Sequence, residues 1–311
     1  MTETSTRTAT DVGIAAVERD TGIAKDTLRV WERRYGFPRP ARNHCGDRVY
    51  PVEQVEHLRR IKRLVDAGHR PARVVPLSAP DLEALARDTF GKPPAAISDP
   101  AWRAAAPYID LLRRHRADAL HQNLSLDVLR LGLSRFVSSI VAPLNAAVGE
   151  AWMRGQLEVH EEHLYTEIVQ RVLRAAITAA SRVDAVSTQP RVLLATVPQE
   201  PHTLGLLMAE AILVLEGCRC VQLGAQVPLT DIVAAASAHA ADVLVLSFSS
   251  LLPPAQVLEP LSELRARLPL AVGVWVGGSS AALSRAGQGI DVVKDFAALT
   301  LRARNWQRPC R

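Results

Sequence analysis

The spacing of apolar positions changes along the chain, and each spacing predicts a different kind of structure. Near the N-terminus, short amphipathic stretches between polar turns predict small helices, of which the second covers residues 26–35 and ends at Gly36. From residue 101 to about 183 the spacing is helical almost throughout. After residue 190, short apolar runs alternate with helical stretches, a pattern typical of parallel sheets flanked by helices. Breaks in the long helical region are expected near Leu124-Ser125, Pro143 and Gly155.

These spacings divide the 311 residues into three domains and a linker. We expect an all-α winged helix-turn-helix, a four-helix bundle and an α/β domain of the flavodoxin-like, or Rossmann-like, kind. Prolines interrupt the chain after the first domain, which predicts a linker with one short helix around residues 81–89. The expected ranges are 11–75 for the winged helix-turn-helix, 76–100 for the linker, 101–186 for the bundle and 190–306 for the α/β domain.

The excess of positive charge is confined to the first domain. Residues 1–75 contain 15 Lys and Arg against 10 Asp and Glu, which leaves 22 against 22 in the rest of the chain. A basic N-terminal domain followed by a neutral remainder is the charge pattern of a nucleic-acid-binding protein. Neutralising the phosphates of the nucleic acid supplies most of the non-specific binding affinity. A basic surface without a partner is the alternative.

Composition excludes several classes of protein. No apolar run approaches the ~20 residues that a membrane-spanning helix needs, and no signal-peptide pattern opens the chain. We therefore expect a soluble cytoplasmic protein without a membrane partner. The four cysteines lack the spacing of a zinc site or a disulfide framework, and they are expected to be reduced: Cys45, Cys218, Cys220 and Cys310.

The second short helix places apolar and basic side chains on opposite faces. Leu28, Trp31 and Tyr35 fall on its inner face. Arg29 and Arg33 lie four residues apart on the outer face. With the helix before it, this describes a helix-turn-helix. A polar turn with strand-like flanks at residues 42–50 then predicts a β-wing, and a third helix follows.

The string Thr-Leu-Arg-Val-Trp-Glu-Arg-Arg-Tyr-Gly-Phe-Pro, followed by Gly-Asp-Arg-Val-Tyr, resembles the winged helix-turn-helix of the MerR family. The resemblance implies binding to double-stranded promoter DNA. It places Thr27, Arg29, Arg33 and Tyr35 at the groove, and Arg42, Asn43 and Arg48 on the flanking phosphates. Trp31 and Tyr50 are expected in the core of the domain.

Three predicted strand ends of the α/β domain carry polar or small residues. Glu200-x-His202-x-x-Gly205 follows an apolar run, and loops at the carboxyl ends of parallel strands open into the crevice where ligands bind. An acid two residues before a loop histidine can accept the Nδ1 proton and leave Nε2 free as a metal ligand. A solvated Glu and His in a polar loop is the alternative. The other two strand ends carry Ser247 with Ser249, and Gly277 with Gly278.

This order of motifs resembles the cobalamin-binding domain of methionine synthase and the adenosylcobalamin mutases. The resemblance implies that His202 is the lower axial ligand of cobalt, and that the serine and glycine loops line the slot for the displaced nucleotide tail. Small residues suit that slot because a backbone approached closely by a ligand leaves no room for a side chain. The family usually has Asp where this chain has Glu200, and the longer acid can still reach the ring.

The most distinctive passage of the helical region covers residues 152–165, with several carboxylates and two histidines three residues apart. A metal site of the kind found in helical bundles would need a second, facing set of carboxylate and histidine ligands, and the sequence shows only one such set. A solvated, charged start of a helix is another interpretation. Trp152, followed ten and eleven residues later by Glu162 and His163, resembles the Trp-x9-Glu-His signature of the CarH/LitR family of adenosylcobalamin photoreceptor regulators. In that family the bundle caps the corrin, with these residues around the adenosyl group.

The order of the domains is also that of the CarH/LitR family. The resemblance implies a repressor that forms a homo-oligomer and binds DNA with adenosylcobalamin in the dark. Light breaks the cobalt–carbon bond, the assembly falls apart and repression is lifted. One residue departs from the pattern, because Met153 stands where the best-known members have a histidine that captures cobalt after photolysis.

Other functions remain open at this stage. A mutase or methyltransferase would need a further substrate-bearing barrel, and no residues are left to build one, so we expect a regulator and not an enzyme. A MerR-type regulator whose cobalamin-binding fold holds another tetrapyrrole, such as a bilin or haem, or no ligand at all, is the alternative.

Overall fold

The computed structural model describes residues 12–43, 45–66, 68–90, 100–181 and 190–306. Several predictions concern residues outside these ranges: the polar lead and first domain boundary up to residue 11, residues 91–99 of the linker, and the end of the bundle with the following link at 182–189. The chain forms two compact units, which are described separately. The first comprises Met1–Ser98 with Gly149–Glu158, and the second Asp99–Val148 with Val159–Arg311.

The first unit contains the expected winged helix-turn-helix. Glycines in the left-handed conformation end its first two helices, Gly22 at φ 66° and Gly36 at φ 69°. A three-stranded antiparallel sheet of order β1-β3-β2 accompanies the helices, and β2 and β3 form the predicted wing. The elements are β1 Val12–Gly13, α1 Ile14–Thr21, α2 Lys25–Tyr35, β2 Ala41–Arg42, β3 Arg48–Tyr50, α3 Val52–Asp66, α4 Pro71–Val74 and α5 Ala79–Phe90.

The stretch expected to be a linker is part of this unit over residues 76–90. The predicted short helix exists as α5, but its Leu82 is buried in the core that α3 and α4 share with it. The Nε2 atom of His57 on α3 lies 3.1 Å from the carbonyl oxygen of Leu77, which ties the segment before α5 to α3. The linker prediction is therefore wrong here, because apolar residues of α5 complete a core that α1–α3 leave open.

The helical region contains five α-helices, of which α8 and α9 are joined by a π-helical turn at Val137–Val141. The expected break near Leu124-Ser125 is wrong, because Leu124 is fully buried inside α7. Pro143 does not break the helical region either. Proline has no backbone N–H to donate, and Pro143 lies at the start of α9, directly after the wider π-helical turn. Gly155 ends α9 as expected. The helices are α6 Pro100–Arg113, α7 Ala117–Leu131, α8 Leu133–Phe136, α9 Ala142–Met153 and α10 Val159–Ala180.

The C-terminal domain contains a parallel five-stranded sheet of order β5-β4-β6-β7-β8, which is the flavodoxin-like strand order and confirms the predicted α/β fold. Its strands are fully apolar at the centre and buried on both faces, as parallel sheets require. Helix α11 also packs against α10 of the bundle. The elements are β4 Arg191–Ala195, α11 Leu204–Leu215, β5 Arg219–Gly224, α12 Leu229–Ala238, β6 Val243–Phe248, α13 Pro254–Arg267, β7 Gly273–Gly278, β8 Asp291–Val292 and α14 Phe296–Arg304.

None of the helices in the described ranges combines the length and apolar character needed to cross a membrane.

Candidate functional site

The candidate cofactor site lies where the strand order of the C-terminal sheet reverses. From β4, the chain passes through α11 to β5 on one side, and then through α12 to β6 on the other side of β4. The connections that leave the carboxyl ends of β4 and β6 therefore run to opposite sides, which opens a crevice between them. Ligands bind in this crevice in folds with this strand order. Parallel register sets Ala195 beside Leu246, and Leu246 beside Val276. The loops after β4, β6 and β7 consequently start side by side.

Glu200 connects two of these loops. Its side chain is fully buried. Its Oε1 accepts a 3.1 Å hydrogen bond from the backbone amide of His202 and lies 2.6 Å from Nδ1 of the same residue. Its Oε2 accepts a 2.7 Å hydrogen bond from the amide of Ser249, in the loop after β6. Glutamate in place of the usual aspartate therefore reaches both the histidine ring and the neighbouring loop.

The Glu200 carboxylate also determines which nitrogen of His202 is free. Burial raises the pKa of Glu200, but hydrogen bonds from the His202 ring, the Ser249 amide and the His202 amide outweigh it and hold the pKa below its usual value. An ionised carboxylate only accepts hydrogen bonds, so Nδ1 of His202 carries the proton and Nε2 keeps a free lone pair. The His202 side chain is 51% exposed, which leaves it accessible to a ligand. This donor fits a cobalt ion coordinated by imidazole.

Two glycines of the predicted site permit close packing of the loops. A Cβ atom at Gly205 would lie 2.2 Å from Oγ of Ser247, so the first turn of α11 contacts the end of β6 through a glycine. Gly278 has φ 120°, and a Cβ there would lie 2.1 Å from the carbonyl oxygen of Phe248. Gly277 is less constrained, since its Cβ would meet the carbonyl oxygen of Val293 at 3.4 Å. The small residues thus allow the three loops to pack closely against one another at this edge of the sheet.

Sequence reasoning missed three polar residues that position the site. The buried hydroxyl of Thr196 donates to the carbonyl oxygen of Glu200 at 2.5 Å, and a polar residue near the end of an apolar strand is a usable signal for it. Oγ of Ser279 accepts a 2.9 Å hydrogen bond from the amide of Ser250, which joins the loops after β6 and β7. Gln170 of α10 donates to Oγ1 of Thr203 at 3.3 Å, and no local pattern predicts this contact between bundle and loop.

The predicted residues of the helical cap are divided between the two units. Glu162 and His163 lie in the first turn of α10, where Oε1 of Glu162 accepts a 2.8 Å hydrogen bond from Thr166. The His163 side chain is 69% exposed. Trp152 and Met153, at the end of α9, belong to the first unit. There the Arg63 guanidinium of α3 lies 5.6 Å from the centroid of the Trp152 ring.

The candidate DNA surface lies on α2. Arg33 is exposed, and it forms no hydrogen bond or ion pair with any residue in the described part of the chain. Arg29 is also exposed, but it pairs with Asp26 one turn earlier, at 2.8 Å. Thr27 and Tyr35 are partly exposed on the same helix. The expected core residues are confirmed, since Trp31 is 5% and Tyr50 0% exposed.

Arg48 has a structural partner within the domain. Its Nε donates to Oε2 of Glu32 at 2.8 Å, so a strand of the wing is joined to the recognition helix α2. Both side chains are about two thirds buried. Arg48 consequently positions the wing, in addition to the phosphate contact that the resemblance implies.

The turn of the wing is built by its own side chains. Oδ1 of Asn43 accepts hydrogen bonds from the amides of Cys45 and Asp47, at 3.0 and 2.9 Å. Arg42 donates to the carbonyl oxygen of Gly46 at 2.7 Å. Asn43 and Arg42 thus fix the shape of the surface that would meet the DNA backbone.

Comparison with known protein families agrees with this arrangement. Residues 13–77 match the MerR HTH family regulatory protein, residues 190–303 match the B12 binding domain, and residues 109–177 match a second B12 binding domain family. A DNA-binding domain joined to a cobalamin-binding domain defines a transcriptional regulator of the B12-binding class.

Two curated relatives narrow the class. The chain is 32% identical to the HTH-type transcriptional repressor CarH of Myxococcus xanthus over 84% of this chain and 86% of the relative. It is 32% identical to the repressor CarA of the same organism over 84% and 85%. The chain belongs to the CarH/CarA family. A monomethylamine corrinoid protein of Methanosarcina barkeri shares the fold at a TM-score of 0.50 and 13% identity, over 64% of this chain and 95% of that one.

The two adjacent glycines provide a test of the loop packing. Gly278→Ala forces a Cβ into the backbone of Phe248 at a positive φ, so we expect the free energy of unfolding to fall by more than about 1 kcal/mol. Gly277→Ala is the matched control, because its Cβ makes ordinary contact. Chemical denaturation measures both. Equal destabilisation of the two variants would contradict the packing described here.

Proposed function

We propose that this chain is a light-responsive transcriptional repressor that binds promoter DNA with adenosylcobalamin as its chromophore. The observation that carries the proposal is the Glu200–His202 pair at the point where the strand order reverses, in a chain with a MerR-type domain. Similarity to CarH and CarA supports repression, and the Trp-x9-Glu-His passage supports the adenosyl form. When bound, the cofactor supplies a cobalt–carbon bond that green or shorter light breaks.

In this proposal the C-terminal domain holds the lower face of the cofactor. His202 presents Nε2, and the ionised Glu200 keeps the opposite ring nitrogen protonated and the ring oriented. Ser247, Ser249, Gly277 and Gly278 line the slot for the nucleotide tail, with Gly205 at the first turn of α11. His202 is the cobalt ligand in this assignment.

Trp152, Glu162 and His163 are the proposed contacts to the adenosyl group. A tryptophan ring can bury against adenine, where aromatic stacking contributes about 0.5–1.5 kcal/mol beyond the buried area. Glu162 can accept hydrogen bonds from the ribose hydroxyls. Loss of the adenosyl group removes these contacts, and a ligand that favours one assembly state shifts the population when it leaves. The dark assembly is proposed to be a homo-oligomer, and Met153 leaves the lit state less tightly held than a histidine would.

Trp152 also offers a path from the cofactor to the DNA-binding domain. The Arg63 guanidinium over its ring is partly buried, and a Cβ at Gly155 would lie 2.9 Å from Nη1 of Arg63. Nε of Arg63 has no hydrogen-bond partner among the described residues, and the aromatic face is one contact of this cation. A movement of Trp152 would therefore shift α3, which shares its core with the recognition helix α2.

His202→Ala tests the lower ligand. We expect cobalamin affinity to fall at least about ten-fold, because a first-sphere donor is removed, and the absorption spectrum of the histidine-ligated cofactor with its own base displaced to disappear. His239→Ala, at an exposed histidine after α12, should bind like wild type. Titration of each purified chain with adenosylcobalamin in the dark gives both readouts. Unchanged affinity and spectrum in His202→Ala would overturn the assignment, and tighter binding of haem or a bilin would favour another tetrapyrrole.

Arg33→Ala tests the DNA surface. If Arg33 contacts a phosphate, the slope of log K against log salt should decrease by about one unit; if it contacts a base, affinity should fall by about 1–3 kcal/mol at one position. Arg267→Ala serves as the control, since it removes an exposed arginine from α13 of the C-terminal domain. Gel-shift titrations at several salt concentrations separate the two cases. An Arg33→Ala protein indistinguishable from wild type would contradict a role at the interface.

Trp152→Ala tests the sensor. Wild type is expected to form a larger assembly with adenosylcobalamin in the dark and a smaller one after illumination, as measured by size-exclusion chromatography. Trp152→Ala should lose most of the dark assembly, whereas Trp152→Phe, which keeps an aromatic face, should retain part of it. A wild-type profile that adenosylcobalamin leaves unchanged, dark and lit, would count against sensing by the cap.

A further inference from the structure

A second cluster of potential metal ligands lies in the helical region of the second unit, away from the loops that follow the strands. His115, in the turn after α6, approaches His160 and Glu161 in the first turn of α10. One ligand atom from each side chain lies within 4.8 Å of the other two. The two imidazole rings have centroids 5.6 Å apart at an interplanar angle of 31°. Two imidazoles and a carboxylate thus converge from two segments that are far apart in sequence.

The three residues differ in burial. Glu161 is 6% exposed, whereas both histidines are exposed. A cation entering from solvent would therefore meet the two imidazoles first.

The backbone holds His115 in this position. Its φ is 53°, in the left-handed region, where histidine, asparagine and aspartate are the most frequent residues after glycine. The turn is closed by hydrogen bonds of 2.9 Å from the His115 amide to Leu112 and from the Arg116 amide to Leu111. The sequence showed one Glu and His pair on a helix and lacked a facing ligand. His115 supplies it from another helix end.

We propose that His115, His160 and Glu161 bind one divalent transition-metal ion of the zinc type. A two-imidazole, one-carboxylate set provides three protein ligands and leaves a fourth position for water, and imidazole selects zinc over magnesium or calcium. Tetrahedral coordination brings ligand atoms to about 3.4 Å from one another, given metal–ligand distances of about 2.1 Å. The ligand atoms now lie within 4.8 Å of one another, and rotation of the two exposed imidazole rings can bring them closer together.

Such an ion would fasten the start of α10 to the end of α6. Glu162 and His163 follow the two α10 ligands directly, so a bound ion would also orient the residues that contact the adenosyl group. This consequence rests on the proposed function, whereas metal binding itself does not.

Zinc titration of the full-length, cobalamin-free chain tests the site. After treatment with a chelator and dialysis, isothermal titration with zinc chloride should show one ion per chain, and zinc should raise the melting temperature. His115→Asn should weaken zinc binding at least about ten-fold, since asparagine tolerates the left-handed turn but lacks the imidazole. His160→Asn should do the same. The matched control His239→Asn should bind zinc like wild type.

Other outcomes overturn the proposal. These are absence of zinc binding by the wild type, zinc binding that survives in both His115→Asn and His160→Asn, or an equal loss in His239→Asn. Circular dichroism confirms that each variant is folded. Adenosylcobalamin titration of the same variants separates the two proposals, because His115→Asn leaves His202 intact. If His115→Asn and His160→Asn bind cobalamin normally but lose zinc binding, the metal site is supported. If His202→Ala loses cobalamin binding but still binds zinc, the metal site is supported independently of the cobalamin site.

Discussion

The C-terminal domain depends on one buried carboxylate. Glu200 has no access to water, yet it stays ionised because a ring nitrogen and two backbone amides donate to it. Removing any one donor would leave a buried negative charge partly unsatisfied, which costs more than the lost hydrogen bond itself. The carboxylate therefore fixes the His202 tautomer and the path of the loop after β6 together. Affinity for the cofactor and local stability are coupled at this residue.

The glycines and the hydroxyls around that carboxylate have a related role. Gly278 and Gly205 let neighbouring loops approach to distances that a Cβ would prevent, and Thr196 holds the carbonyl oxygen of Glu200. The loops are thus positioned before any ligand arrives, which reduces the ordering cost of binding. The residues whose small size suits a bound ligand are equally required by the packing of the protein.

Sequence periodicity predicted the domain types, the parallel sheet and the position of His202 in a strand-to-helix loop, because these follow from local spacing and from the rules of parallel sheets. It failed where distant segments decide the structure. Residues 76–90 read as a linker because prolines surround them, but Leu82 fills the core beside α3. The break expected at Leu124-Ser125 was wrong because the burial of Leu124 in the tertiary structure outweighs the effect of the polar Ser125 beside it. No local sequence pattern predicts the contact between Arg63 and Trp152 or the position of His115 beside His160.

Two contacts in the first unit suggest how a signal could reach DNA without a large change in fold. Glu32 and Arg48 join α2 to the wing, and Arg63 joins α3 to the ring of Trp152. Since α2 and α3 share one core, a small displacement of α3 reaches both the recognition helix and the wing. Trp152 lies seven residues before the start of α10, which carries Glu162 and His163. The segment 149–158 belongs to the DNA-binding unit and continues directly into α10, so we propose that sensing and DNA binding are coupled through this segment.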